Sequence, residues 1–142
     1  MIVIGIVGLL SSGKSTVCET LSKNGSKVIN LDILSHDIYK PGSSAYQEII
    51  NIWGSDVLDE QRKISRAYLA EKVFGKGDNE ISKLEKIVWP RLISKLEEKL
   101  IKYHQEKLIF VEGAKILNSD FVKYCDKVWC VVSSIENIKN RI

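Results

Sequence analysis

Four short, mostly apolar runs lie along the chain, at residues 2–7, 28–31, 108–111 and 128–132. The third and fourth runs show no alternation of hydrophobic and polar positions. Runs of this length without alternation are typical of strands that are buried on both faces of a parallel sheet. The pattern therefore predicts an α/β fold, with a four-stranded parallel sheet and helices on both of its faces.

The segment between the second and third runs has the spacing of amphipathic helices. Helices are predicted from Ala45 to Trp53, over residues 67–74, and on both sides of Pro90, which we expect to open a separate helix as its first-turn residue. A crossover between parallel strands needs only about a dozen residues. The extra helices therefore indicate an insertion at about residues 33–106.

The length and composition of the chain suit a single domain. Its 142 residues, 44% of them hydrophobic, are enough to bury roughly two thirds of the unfolded surface. No repeat or linker divides the sequence. We expect one domain over residues 1–142, with a core of residues 1–32 and 107–142 around the helical insertion.

A glycine-rich motif follows the first apolar run directly. Residues 8–15 read Gly-Leu-Leu-Ser-Ser-Gly-Lys-Ser, the G-x-x-x-x-G-K-S pattern of a phosphate-binding loop. Placed between a strand and a helix, such a loop directs backbone N–H groups and the positive end of a helix dipole at an anion. Lys14 is expected to reach the outer phosphates, and the Ser15 hydroxyl to ligate Mg²⁺. The expected nucleotide-binding residues are Gly8, Ser11, Ser12, Gly13, Lys14, Ser15 and Thr16.

Two acidic residues lie just after predicted strands, on the side of the sheet where the phosphate loop opens. Asp32 follows the second strand, where a carboxylate can take the proton of an acceptor hydroxyl; the alternative is an N-cap for a helix over residues 33–39. Glu112 closes the third strand, where such folds place the acid that holds Mg²⁺ or its water shell. The alternative for Glu112 is a solvated strand end.

Charge and cysteine usage narrow the class of protein. The net charge of +3 comes from 21 basic and 18 acidic residues spread along the chain, so we expect no nucleic-acid partner. The first apolar run has no basic lead-in, which argues against a signal peptide or a membrane span. Three cysteines without a C-x-x-C pair argue against a metal cage or a disulfide framework. Cys18 and Cys130 are expected in the core, and the protein in the cytoplasm.

Several further segments, taken in order with the loop, resemble dephospho-CoA kinases. They are residues 29–34, 39–46 and 64–69 and the pair Val73–Phe74. That family has an aspartate past the second strand, a Pro-Gly turn before a helix, an Arg-x-x-Leu helix that ends in Val-Phe, and a helix-opening dipeptide that ends in Pro. The matching positions here are Asp32, Pro41, Gly42, Arg66, Val73, Phe74 and Pro90.

The resemblance implies a P-loop kinase that uses ATP and Mg²⁺ to phosphorylate the ribose 3′-hydroxyl of dephospho-CoA, which gives coenzyme A. Asp32 and Lys14 would be the catalytic residues, and Ser15 and Glu112 would bind the metal. Asp32 and Arg66 would contact the acceptor. Two roles stay open for Arg66, since it can hold an acceptor phosphate bidentately or solvate its own helix.

The chain departs from the usual family pattern at three places. Asn30-Leu31-Asp32 stands where the family usually has Asp-Ala-Asp, and Trp89-Pro90 where it usually has His-Pro. After the third strand, the chain has Glu-Gly-Ala-Lys-Ile at residues 112–116, where the family often has Asp-Val-Pro-Leu-Leu. The second acid of the first motif is kept, whereas the change from His bears on acceptor binding.

The end of the sequence predicts a helix that begins in a capping box at Ser133–Glu136. The sequence of a relative would continue through an arginine-bearing lid, a fifth strand and a final helix. In this sequence only Arg141, just before the position of that lid, could replace the lid arginine. The strand at residues 128–132 is therefore expected to present an unpaired edge that favours self-association. Two alternative functions stay open, another small-molecule or nucleoside monophosphate kinase and a lidless, non-catalytic nucleotide-binding module.

Overall fold

A computed structural model describes residues 1–141 of the chain. The strands are β1 (Ile2–Gly8), β2 (Lys27–Asn30), β3 (Leu108–Glu112) and β4 (Lys127–Val131). The helices are α1 (Lys14–Lys23), α2 (Leu31–Ile38), α3 (Ser44–Trp53), α4 (Arg66–Val73), α5 (Asp78–Lys102) and α6 (Ile135–Arg141). Short 3₁₀ turns lie at Ser55–Val57, Ile116–Asn118 and Asp120–Tyr124. The predicted α/β class is confirmed.

The four strands form one parallel sheet in the order β2-β3-β1-β4. The register sets Glu112 opposite Ile6 on one side and opposite Asn30 on the other, so the carboxyl ends of β1, β2 and β3 meet at one edge of the sheet. Below that edge, Ile6 and Phe110 are buried together with Cys18 of α1. Each large apolar side chain buried in this way contributes about 1.5–3 kcal/mol, which fixes α1 against the sheet.

β4 is much less buried than its apolar sequence predicts. The expectation that Cys130 lies in the core is wrong, because Cys130 is exposed and Trp129 is 44% exposed. The strand order gives the reason: β4 pairs with β1 and lies at the edge of the described sheet. The Trp129 ring still packs on Phe110, with 5.3 Å between the ring centroids.

The chain turns from strand to helix earlier than expected after β2. Leu31, expected to end the strand, is the first residue of α2, and Asp32 lies in the first turn. The interpretation of Asp32 as the N-cap of a helix over residues 33–39 is therefore wrong. Leu31 is 5% exposed, and the turn places its side chain over the backbone of Gly113.

Pro90 lies inside a continuous helix of 25 residues and does not open a new one. Its ring removes one N–H from the helix ladder, a cost that usually bends or ends a helix. Here the apolar positions stay in phase across the proline, and Ile87, Val88 and Leu92 are all buried. The guanidinium of Arg91 donates to the Ile87 carbonyl at 2.6 Å, which adds a hydrogen bond in the same turn.

Serine hydroxyls cap α3, α4 and α6. Ser43 accepts a hydrogen bond from the N–H of Tyr46, and Ser65 accepts one from the N–H of Tyr68. At α6 the hydroxyl of Ser134 accepts from Asn137 at 3.2 Å. The cap of α6 is thus one residue later than the predicted capping box at Ser133. Such caps typically contribute about 1 kcal/mol each.

The chain divides into two compact units, one of residues Met1–Asp32 with the chain from Leu96 onward, the other of residues Ile33–Lys95. The first unit contains the sheet and α1. The second is helical, and its buried residues include Ala45, Ile49, Val57, Leu69 and Val73. No helix among residues 1–141 is both long enough and apolar enough to cross a membrane.

Candidate active site

The phosphate-binding loop runs from the end of β1 to the start of α1. Gly13 precedes the first helical residue and has φ 103°, in the left-handed region that favours glycine. Within residues 1–141, no side chain caps this helix start. The N–H groups of the first turn are therefore available to an anion, together with the positive end of the helix dipole.

Gly8 is required by space and not by its backbone angle, since its φ lies outside the left-handed region. A Cβ atom at this position would lie 2.6 Å from the Ser12 hydroxyl oxygen and 2.6 Å from the Val131 carbonyl oxygen. Ser12 is 5% exposed, and its hydroxyl has no hydrogen-bond partner within the described residues. A buried unpaired hydroxyl costs about 1–3 kcal/mol. The loop therefore fits a phosphate that supplies the missing partner.

Two cations contact the backbone of the loop. The Lys14 ammonium donates to the Gly8 carbonyl at 2.6 Å and to the Leu9 carbonyl at 3.3 Å. The Arg141 guanidinium donates to the Ser11 carbonyl at 3.2 Å, and Ser11 has φ 60° in the left-handed region. Strained backbone of this kind is concentrated at ligand-binding sites. Both side chains carry positive charge to the place where a phosphate would bind.

A cavity of about 520 Å³ opens in front of the loop. Its walls contain residues 9–16 of the loop and helix start, and also Asp32, Glu112 and Arg141. Asp32 is presented by the first turn of α2 and Glu112 by the end of β3. Because β2 and β3 are parallel neighbours, the residues at and just after their carboxyl ends reach the same edge of the sheet. The structure thus places the expected lysine, both acids and the loop around one cavity.

Glu112 is held from two sides by its own chain. Glu112 is 9% exposed, and its carboxylate accepts a hydrogen bond from the Asn30 side-chain amide at 2.8 Å. Glu112 also interacts with the Cys18 thiol on α1. The pKa of Cys18 is raised to about 12, first by burial and then by the charge of Glu112 and a hydrogen bond to its carboxylate. The interpretation of Glu112 as a solvated strand end is therefore wrong. Asn30 was missed by sequence reasoning, because its role depends on strand register.

The residues around the cavity fit a magnesium ion that is bound mainly through a nucleotide. Ser15 and Glu112 both line it and offer hard oxygen ligands. In the part of the chain that the structure describes, no group of three or more His, Cys, Asp or Glu side chains could hold a metal by itself. Mg²⁺ is typically held by one or two protein oxygens together with phosphate oxygens and water, which agrees with this donor set.

Arg66 belongs to the helical unit and lies beside a second cavity, of about 370 Å³. Its guanidinium donates to the buried Ser35 hydroxyl at 2.6 Å and lies 5.6 Å from the centre of the Tyr39 ring. Burial raises the pKa of Tyr39, against the opposing charge of Arg66. The other basic residues of this cavity are His36, Lys40 and Lys63. Its walls are therefore partly apolar, with a basic rim.

The fold and the site together define a class of protein. A parallel sheet, a phosphate-binding loop after its first strand and acids at the ends of the neighbouring strands are the features of P-loop kinases. The crystal structure of TT1252 from Thermus thermophilus has the same fold: its TM-score is 0.86 at 26% sequence identity, over 99% of this chain and 70% of that one. A dephospho-CoA kinase from Campylobacter jejuni gives a TM-score of 0.65 at 20% identity, over 97% of this chain and 92% of that one, a likeness of fold alone.

The sequence comparisons identify the family within this class. Residues 2–142 match the family described as dephospho-CoA kinase, CoaE. The dephospho-CoA kinase of Fusobacterium nucleatum is 34% identical over 142 residues, which are 100% of this chain and 72% of that protein. The dephospho-CoA kinase of Aquifex aeolicus is 31% identical over 97% of this chain and 70% of its own length. The chain belongs to the dephospho-CoA kinase family, as the sequence motifs indicated.

Proposed function

We propose that this protein transfers the γ-phosphate of ATP to the ribose 3′-hydroxyl of dephospho-CoA, which yields coenzyme A. The observation that carries the proposal is the single cavity that brings the loop lysine Lys14 together with the carboxylates of Asp32 and Glu112. Family membership supports the choice of acceptor. A phosphate loop alone would favour only nucleotide binding, whereas the two acids supply what transfer to a hydroxyl requires.

In this proposal the loop binds the nucleotide phosphates. The amides of residues 13–16 and the Ser12 hydroxyl donate to phosphate oxygens. Lys14 and Arg141, both at the loop, neutralise the charge that spreads over the transferred phosphoryl group. These donors are already held in place by the loop backbone, so little reorganisation opposes the reaction.

Asp32 is the proposed proton acceptor. The hydroxyl of the acceptor becomes a better nucleophile as its proton passes to a carboxylate within hydrogen-bond reach. Asp32 is exposed in the first turn of α2 and lines the same cavity as the loop. Ser15 and Glu112 would hold a magnesium ion there, which when bound supplies positive charge next to the phosphate oxygens.

The helical unit is the proposed acceptor-binding part, within the expected insertion at residues 33–106. Arg66 is the proposed contact to a phosphate of dephospho-CoA, because Ser35 and the Tyr39 ring hold its guanidinium in place at a basic cavity. We also propose a cytoplasmic location, since Cys18, Cys125 and Cys130 are all unpaired. Localisation of a tagged full-length protein tests that point.

A phosphoryl-transfer assay tests the function. The protein is incubated with ATP and Mg²⁺ and with dephospho-CoA, adenosine monophosphate or gluconate in parallel. Coenzyme A formation with dephospho-CoA, at a rate well above the other acceptors, is the expected result. Faster transfer to adenosine monophosphate or gluconate would indicate another small-molecule kinase. ATP binding without transfer to any of them would indicate a nucleotide-binding module.

A further inference from the structure

Asn30 donates a hydrogen bond to the Glu112 carboxylate, and the same carboxylate interacts with Cys18. Neither residue has a role in the proposed chemistry so far. Asn30 ends β2 directly opposite Glu112 in the sheet register, and its amide nitrogen lies 2.8 Å from Glu112 Oε2. Cys18 is buried on α1, one turn after Lys14. The carboxylate is thus linked to a neighbouring strand and also to the helix that begins at the phosphate loop.

We propose that Asn30 and Cys18 are positioning residues that fix the Glu112 carboxylate at the phosphate cavity and thereby set the affinity of the site for Mg²⁺. This inference rests on the proposed function, in which Glu112 and Ser15 bind the metal. A carboxylate has about four lone-pair sites. Hydrogen bonds from Asn30 and Cys18 therefore leave oxygen lone pairs of Glu112 for a ligand in the cavity. Partners of this kind orient a metal-binding side chain without touching the metal.

The identity of residue 30 determines how many charges surround the metal position. An asparagine donates a hydrogen bond to Glu112 and adds no charge, so one carboxylate is held rigidly. The family pattern usually has an aspartate at this place, and a second carboxylate beside Glu112 would disfavour ionisation of both groups. This chain therefore relies on one oriented carboxylate, and its orientation depends on the amide of Asn30.

Cys18 provides the link to the loop. Lys14 and Cys18 are four residues apart on α1, hence on the same face of the helix. The S–H of Cys18 can donate to the Glu112 carboxylate, and this interaction is one of the causes that raise the pKa of Cys18. Ser15 lies in the first turn of α1, on the same helix as Cys18. A fixed distance between Cys18 and Glu112 therefore also fixes the two proposed metal ligands, Ser15 and Glu112, relative to each other.

The test compares matched variants of the 142-residue chain. Cys18→Ala removes the donor, whereas Cys18→Ser keeps one of similar size. Asn30→Ala removes the amide, and Asn51→Ala is the control because Asn51 is an exposed residue of α3. For each protein, calorimetry gives the Kd for ATP with excess Mg²⁺ and with EDTA. The ratio of the two values measures the contribution of the metal, and Mn²⁺ paramagnetic resonance with a non-hydrolysable ATP analogue measures metal binding directly.

We expect Cys18→Ala and Asn30→Ala to lower metal affinity by about 10-fold or more, the usual effect of losing a partner of a metal-binding side chain. ATP affinity in EDTA should stay close to that of the wild type, and Cys18→Ser and Asn51→Ala should keep the wild-type ratio. If folded Cys18→Ala has the same ratio of ATP Kd values as the wild type, the role of Cys18 is overturned. This outcome can be measured even if Asn30→Ala fails to fold.

The proposed function and this inference fail in different ways. If wild-type ATP affinity does not depend on Mg²⁺, the metal role of Glu112 and this inference both fall, although transfer to dephospho-CoA can still be measured separately. If Mg²⁺ strengthens ATP binding equally in the wild type and all variants, only the positioning role falls. Equal loss of metal affinity in Cys18→Ser and Cys18→Ala would also contradict it, since the hydroxyl should rescue the contact.

Discussion

Leu31 fills the space that a side chain at position 113 would need. A Cβ atom on Gly113 would lie 2.8 Å from Leu31 Cδ1 and 3.4 Å from Leu31 Cβ. Each of the two residues adjoins a candidate active-site acid, Asp32 or Glu112. The family pattern that the sequence resembles usually has alanine at the position of Leu31 and often has valine at the position of Gly113. This chain therefore has the larger side chain at the first position and the smaller residue at the second. The packing of this pair therefore helps to set the positions of both acids.

Gly113→Val should destabilise the protein, because the new side chain overlaps Leu31 in a buried site. Overpacking of this kind costs about 1–3 kcal/mol. Leu31→Ala should also destabilise, by about 2–5 kcal/mol, through the cavity it leaves. The double variant restores the family arrangement and should lose clearly less than the sum of the two single losses.

Urea unfolding of the four proteins measures this coupling, with Ala114→Val as the control at the next, exposed position. Strict additivity of the two free-energy losses would show that Leu31 and Gly113 do not share the space. The same would follow if Gly113→Val were as stable as the control.

The strand and loop predictions succeeded where the signal is local. The apolar run before Gly8, the glycines and Lys14 are enough to predict a strand, a phosphate loop and a helix, since each feature depends on neighbours along the chain. The same holds for the helix from Ser44 to Trp53, which begins after the capping Ser43 and ends at Gly54.

The predictions failed where the outcome depends on contacts between distant segments. The apolar run at residues 128–132 looks like a central strand, but the strand order that leaves Cys130 exposed is set by the whole sheet. The contact between Asn30 and Glu112 depends on the register of β2 against β3. Pro90 was expected to begin a helix because local rules favour that position, whereas the apolar stripe on both sides keeps the helix continuous.

Lys14→Ala should weaken ATP binding several-fold or more and abolish transfer, with the fold intact. The ammonium is held over the loop by the Gly8 and Leu9 carbonyls, and its charge stabilises the outer phosphates and the transition state. Calorimetry gives the ATP affinity and the coenzyme A assay gives the rate. Lys23→Ala, in the last turn of the same helix, should change neither. Unchanged affinity and rate in folded Lys14→Ala would remove the central role of the loop lysine.

Asp32→Asn should leave ATP affinity close to that of the wild type and lower the rate of transfer by about 10²-fold or more. That factor is the usual contribution of a general base, and the amide cannot accept the proton. The comparison is made by steady-state kinetics with saturating ATP. Asp56→Asn, at an exposed position in the helical unit, is the matched control. Full activity of Asp32→Asn would assign the proton to another acceptor.

Glu80 should make stability depend on pH in the acid range. A hydrogen bond from Lys83, followed by one from the Trp53 indole at 2.7 Å, lowers the pKa of Glu80 below its ordinary value of 4.5. Its stabilising contribution is therefore present above pH 4.5 and is lost as the pH falls through the lower, folded-state pKa. Below pH 4.5 the free energy of unfolding of the wild type should fall more steeply than that of Glu80→Gln. Glu71→Gln, also in the helical unit, should follow the wild type.

The 142-residue chain should self-associate through the edge of β4. Among the described strands, β4 has β1 as its single neighbour, and Trp129 and Cys130 are exposed on it. An exposed strand edge with apolar side chains recruits another strand, and a charge on the edge prevents this. Light scattering in reducing buffer should therefore show an oligomer for the wild type and a monomer for Cys130→Lys. Cys130→Ser separates the two explanations for an oligomer: it should still associate, because it removes the thiol and adds no charge. A monodisperse wild-type monomer would refute the edge argument, and loss of association in Cys130→Ser would trace it to the thiol.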